Sequence, residues 1–194
     1  MSKFLGPIHY WLYDKIGNQE KLTEIIAKYA ESNGWIESTA PYVKELLPLE
    51  SVIDESNIHE WLQARISDAE SRYASLIMLL EKSNNFDIEK ILRVAFDFGK
   101  EHMVSSEADV MDVYEAFEDF FINGMPCDQV NVVVSQEPNK ISWEMTQDMH
   151  ASYWDGEDCI NYYVIRKAVM DGMLAESNFS VVMNSPHKYS ICRI

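Results

Sequence analysis

Val130-Asn131-Val132-Val133-Val134-Ser135-Gln136-Glu137-Pro138-Asn139-Lys140-Ile141-Ser142-Trp143-Glu144-Met145 is the stretch in which the chain changes its period. Upstream, apolar residues recur every three or four positions; here they alternate with polar ones, the spacing of a half-buried strand. Val130, Val132 and Val134 read as one strand, and Ile141, Trp143, Met145 and Met149 as a second. Glu137-Pro138-Asn139-Lys140 between them reads as a turn, so the two strands form a hairpin. An all-helical reading ends at this point, and the fold becomes α+β.

Downstream, the acidic turn Asp155-Gly156-Glu157-Asp158 leads into a helix from Cys159 to about Glu176. Ile160, Tyr163, Val164, Ala168, Val169, Met173 and Leu174 make it apolar on most sides, so it should be largely buried. Phe179 to Asn184 and Lys188 to Ile194 then form a closing hairpin around Ser185-Pro186-His187.

Upstream, residues 7 to about 32 read as a helix with a break at Gly17, stopped by Asn33-Gly34. Residues 35 to 55 read as a connection with one brief helix around Tyr42 to Leu47. Asn57 to Lys82 holds helical period longest and should be the central helix. Further helices are expected over Asp87 to His102 and over Glu107 to Ile122, the latter with Ser106 and Asp109 as its capping box. The expected architecture is one domain, 1-194: a helical part, 1-126, packed as a layer on a small antiparallel sheet with a buried helix, 127-194.

The chain has 194 residues, with 32 Asp plus Glu against 16 Lys plus Arg, a formal charge of −16 that disfavours nucleic acid and anionic membrane surfaces as partners. Glu101 to Asn139 contains nine acids and no Lys or Arg, a solvated face or a site for a cation or basic partner. Cys127, Cys159 and Cys192 are odd in number and widely spaced, which suits free thiols rather than a disulfide framework. The start at Met1 carries neither an apolar signal segment nor a basic transit segment, so a cytoplasmic location is expected. No phosphate-binding glycine loop, His-Glu-x-x-His or Gly-x-Ser-x-Gly occurs, which removes the usual support for nucleotide binding, zinc proteolysis and serine hydrolysis.

Two stretches repeat: Ile8-His9-Tyr10-Trp11-Leu12 and Ile58-His59-Glu60-Trp61-Leu62. The match continues through Lys15-Ile16 against Arg65-Ile66 and Glu20 against Glu70. Each copy follows a helix-start signal, so each histidine falls in a first turn, where the helix dipole favours neutral imidazole. If the two starts lie together, His9 and His59 line one pocket with Trp11 and Trp61 as walls; if apart, each histidine simply anchors its own loop. Strand alternation places Glu144, Thr146, Asp148 and His150 on one face, an ordinary wet face or an acid–base pair of Asp148 and His150 with Trp154 beside it. Cys159, opening the buried helix, is either a packed thiol or a thiolate nucleophile favoured by the dipole. Metal candidates are His9, His59 and His150, although two histidines do not make a site.

The order strand, buried helix with small residues Ala168 and Gly172, hairpin, and terminal strand with Cys192-Arg193-Ile194 resembles a ligand-binding superfamily. Its members include 4-vinyl reductase-type domains, the L-2-amino-thiazoline-4-carboxylate hydrolase family and certain TRAPP transport-complex subunits. The likeness spans about residues 130 to 194; the family's acidic Gly-Asp turn is replaced by His187-Lys188, and its other cysteines have no match. Haem nitric-oxide-binding domains share a comparable order of elements. Their Tyr-x-Ser-x-Arg motif is absent here, and the helix before the hairpin offers Tyr114 where they carry histidine.

The leading expectation is therefore a small-molecule-binding or sensing domain with an apolar pocket between helices and sheet. The competing expectation is an enzyme with a hydrolase-like or metal-assisted activity on a small ring or amide, using His150 with Asp148 together with His9, His59 or Cys159; a haem-binding domain and, from the TRAPP-like resemblance, a protein-interaction subunit are further alternatives, the sequence specifies no cofactor, and a homodimer is compatible with it.

Overall fold

The computed structural model describes residues Leu5 to Ile194 apart from Glu157; the reading of the first four residues, and Glu157's share in the acidic turn, lie outside it. Among the described residues six helices and a four-stranded antiparallel sheet form an α+β fold with the helices packed on the sheet. The helices are α1 (Pro7–Ser32), α2 (Leu49–Val52), α3 (Ile58–Glu81), α4 (Ile88–Lys100), α5 (Val110–Phe120) and α6 (Ile160–Met173). The strands are β1 (Asn131–Glu137), β2 (Lys140–Met145), β3 (Phe179–Ser185) and β4 (Lys188–Arg193), in sheet order β1-β2-β4-β3. No helix among the described residues is long and apolar enough to cross a membrane.

The fifty-residue repeat becomes a packing rule. In α1 the buried positions Leu12, Ile16, Gln19, Thr23, Ile26 and Ala30 alternate steps of four and three; in α3, Leu62, Ile66, Ala69, Tyr73, Leu76 and Leu80 do the same at the same offsets. Matching seams of this kind pack side by side, as in a coiled coil. The two helices run in the same direction: His9 and His59 line one cavity at their starts, Tyr13 lies against Trp61 with ring centroids 6.0 Å apart, and Arg72 donates to Glu20 at 2.6 Å. Helix α1 runs unbroken through Gly17, whose would-be Cβ meets only Leu46 at 3.4 Å. It ends where Gly34, at φ +68°, lets its own N–H reach Glu31 and that of Trp35 reach Ala30, both satisfying carbonyls of the last turn.

Helices α4 and α6 touch backbone to backbone. A Cβ on Gly99 would lie 2.1 Å from the Val169 carbonyl oxygen, and one on Gly172 would lie 2.0 Å from that of Phe96. Sequence expectation and structure differ at the smaller elements. Tyr42 to Leu47 forms no helix; the short one is α2, just after Pro48. Asp109 itself caps α5, accepting from the Met111 and Asp112 amides, and its box partner is Asp112, three residues beyond the expected pairing with Ser106.

Beneath the sheet, Trp143 of β2 stacks on Tyr189 of β4 at 5.3 Å, and Tyr114 and Phe117 of α5 pack on the same indole. Pairing of β1 with β2 puts Val132 on the outer face, and the register shift between Val133 and Ser135 throws Val134 outward as well. Strand β2 stops at Met145, earlier than its alternation suggests, so Asp148 and His150 do not share a strand face. The amide of Thr146 makes one further bond to Val130, and then the Asp148 carboxylate accepts the amides of His150 and Ala151 and turns the chain into a short 3-10 segment, Ala151–Tyr153.

Candidate functional site

Because α1 and α3 start together, their first turns enclose a cavity of about 220 Å³. Ile8, Leu12, Ile58, Leu62 and Met125 supply apolar wall; His9, His59, Ser56, Asn57 and Cys127 supply polar edges. No side chain caps either helix start with a hydrogen bond of its own. In α1 the His9 ring turns back instead, its Nδ1 accepting the Gly6 amide at 2.9 Å, so Nε2 carries the ring hydrogen in this arrangement. His9 is thus both a loop anchor and a cavity residue. Trp11 and Trp61 do not line the cavity: Trp11 Nε1 donates to Asp119 at 2.8 Å, and Trp61 lies between Tyr13 and Arg65. The pocket expected between helices and sheet differs from this placement, since the aromatic stack around Trp143 occupies the interface of α5 with β2 and β4.

The residues expected to do acid–base chemistry separate. His150 is buried: its Nδ1 donates to Glu70 Oε2 at 3.1 Å and its ring stacks on Tyr162 at 3.9 Å. Asp148 pairs elsewhere. Its Oδ1 accepts Tyr163 Oη at 2.7 Å together with the two amides, and its Oδ2 accepts His187 Nε2 at 3.0 Å and Cys159 Sγ at 3.6 Å. Burial alone would raise the Asp148 pKa, but these hydrogen bonds outweigh it and hold the carboxyl well below the usual range. Burial and the bond to Asp148 push the Tyr163 hydroxyl far up. Cys159 does stand at the start of α6, yet burial and the Asp148 charge raise its thiol to about 11, against the thiolate that the dipole argument favours. Trp154 is fully buried, with no partner for its Nε1 among the described residues.

His187, in the turn of the closing hairpin, is the histidine that meets Asp148, and it lies 3.1 Å from Tyr163 Oη as well. The signal was available in strand neighbourhood: β4 lies beside β2, and the His187 carbonyl takes the Met145 amide, which brings the turn to the end of β2. Glu70 was visible only as Glu20's counterpart in the repeat. Both are buried acids, and each takes a base from a later segment, Arg72 for Glu20 and His150 for Glu70. Among the described residues no group of three or more His, Cys, Asp or Glu side chains is arranged to hold a metal ion. Comparison with known protein families, curated proteins and solved structures finds no match.

Proposed function

We propose that the protein is a cytoplasmic small-molecule-binding or sensing domain whose ligand occupies the cavity between the starts of α1 and α3. The observation that carries this reading is that a duplicated sequence segment folds so that its two copies form opposite walls of one apolar cavity. A volume of about 220 Å³ lies between a cavity of roughly 150 Å³ that takes benzene and drug-sized pockets of roughly 300 Å³ and above, so the ligand has one or two rings. His59, Ser56 and Asn57 orient its polar group. Kinship of residues 130 to 194 with the ligand-binding superfamily named above belongs to the same proposal, supported by the order hairpin, buried helix, hairpin.

Indole and benzoate, titrated into the full-length protein and followed by methyl NMR, should shift Ile8, Ile58, Leu62 and Met125 together. His9→Ala and His59→Ala should each weaken binding by about fivefold, the loss of one hydrogen bond of roughly 1 kcal/mol. Ile8→Trp should occlude the cavity. Scattered shifts, or binding unaffected by all three changes, would sink the reading. A second reading, an acid–base enzyme, draws on the Asp148–His187 pair, in which an oriented imidazole is still 38% exposed and reachable. Turnover of the bound molecule that disappears in His187→Ala would favour it.

A further inference from the structure

The cavity at the starts of α1 and α3 is graded from floor to mouth. Leu12, Ile58, Leu62 and Met125 are buried, whereas Ser56, Asn57, His59 and Cys127 are exposed, so an apolar floor opens through a polar rim. A ligand that satisfies both has an apolar body and one polar head. What the rim offers to that head decides its charge. None of the lining residues is Asp, Glu, Lys or Arg, although a quarter of the chain is charged and acids outnumber bases two to one. Four other grooves each carry at least one acid, such as Glu24, Asp97, Asp14 and Glu137. An anion that is repelled from those grooves meets no carboxylate in this lining.

The groups free at the rim are mostly donors. Because the Gly6 amide bonds His9 Nδ1, the ring hydrogen of His9 is on Nε2, and the His59 ring has no partner among the described residues. Ser56 gives its hydroxyl hydrogen to Asp54 at 2.6 Å; Asn57 gives one amide hydrogen to Glu60 and keeps a second. Outside the lining, Asp54 and Glu60 are exposed and thus accept from rim residues, and Asp128 accepts the Met125 amide at 2.8 Å and the Cys127 thiol at 3.9 Å. Behind the rim stand the first turns of two helices of 26 and 24 residues, and no N-cap side chain accepts from either. The unpaired amides of such turns, at the positive ends of two dipoles, favour negative charge.

We propose that the ligand of this cavity is an amphiphilic monocarboxylic acid, its hydrocarbon body on the apolar floor and its carboxylate at the rim, held by His9, His59 and the two helix starts. The inference rests on the reading of the cavity as a ligand site and adds the chemical class. A single negative charge matches neutral donors and helix ends. A dianionic phosphate is matched by lysine or by the fork of arginine, and the lining has neither. The carboxylate stays at the exposed mouth, where water completes its hydration, so binding does not bury an unpaired charge.

The test compares benzoate with benzamide, nearly the same shape without the charge, and with phenyl phosphate, each titrated into the full-length protein at neutral pH and constant ionic strength. Methyl NMR of Ile8, Ile58, Leu62 and Met125 reports the affinity. Benzoate should bind about tenfold more tightly than benzamide, the difference between a charged and a neutral acceptor at these donors, and more tightly than phenyl phosphate. Gly6→Asp supplies the complementary variant: Gly6 is the extended N-cap of α1, and a Cβ there meets nothing within 4 Å, so the change should fold. Its carboxylate occupies the helix start that the ligand would use. Benzoate affinity should fall by roughly three- to fivefold and benzamide affinity should not, while Gly6→Ala changes neither. Benzamide binding as tightly as benzoate, phenyl phosphate binding more tightly, or a benzoate-to-benzamide ratio unchanged in Gly6→Asp would overturn the assignment and leave the cavity a ligand site. No shift of these methyls with benzoate, benzamide or indole removes the cavity reading and this inference with it.

Discussion

Asp148 is the side chain on which most separate segments converge. Its carboxylate joins the end of β2, the Ala151–Tyr153 turn, the first turn of α6 and the β3–β4 turn through five donors. A carboxyl held below its ordinary pKa in the folded state stabilises that state above the unfolded value of about 3.9, and the contribution is lost as pH falls below it. Asp148→Asn should therefore lower stability by roughly 2–3 kcal/mol at pH 7, the worth of charge-assisted hydrogen bonds, and should flatten the loss of stability between about pH 4 and pH 2. Urea unfolding at several pH values measures both; an unchanged acid slope would remove Asp148 from this role. At this scale the sequence misled in an instructive way. Thr146 to Met149 keeps a strand's alternation, but alternation says nothing about whether backbone amides stay in the ladder or go to a side chain such as Asp148. The pairing of His187 with Asp148 leaves no mark in the local sequence, because the two are 39 residues apart.

Helix periodicity was legible because it records burial directly: α1, α3, α4 and α6 lie within a few residues of where their apolar spacing puts them. The repeat was also legible, and its meaning was not, since two matching seams can pack in the same or opposite directions and only the shared cavity at the helix starts decides. Gly99 and Gly172 were harder still, because a close approach of two backbones leaves no apolar pattern. Alanine ordinarily stabilises a helix relative to glycine by about 1 kcal/mol. At these positions the sign should reverse: the added carbon lands about 2 Å from a carbonyl oxygen of the neighbouring helix, and overpacking of this kind costs roughly 1–3 kcal/mol. Gly99→Ala and Gly172→Ala should each lower the urea midpoint. The double variant should lose less than the sum, since a helix pair pushed apart by one methyl already has room for the other. Additive losses would mean that the two glycines act independently rather than at one crossing.

Taken as a whole the molecule folds against its own charge. Its ion pairs, such as Lys188–Glu144 and Lys90–Asp87, are mostly at the surface, where each contributes about 0–1 kcal/mol, and together they leave sixteen negative charges unopposed. Salt then has two effects of opposite sign, weakening those pairs and screening the net repulsion. Distance decides between them. A pair at 3–4 Å lies well inside any Debye length, whereas like charges spread over a molecule of radius of gyration about 16 Å are separated by more than the screening length once it falls from ~30 Å at about 0.01 M salt to ~10 Å at about 0.1 M. Screening therefore removes more repulsion than attraction, and the unfolded chain, with its charges farther apart, gains less from it. The Tm should rise by several degrees between about 0.01 M and 0.1 M NaCl and change little further up to about 0.3 M, where the remaining long-range repulsion is small. Replacing exposed Glu107 and Glu115 by Gln should reproduce part of the rise at low salt and shrink the salt response; a Tm that falls with added NaCl would show instead that the short-range pairs dominate.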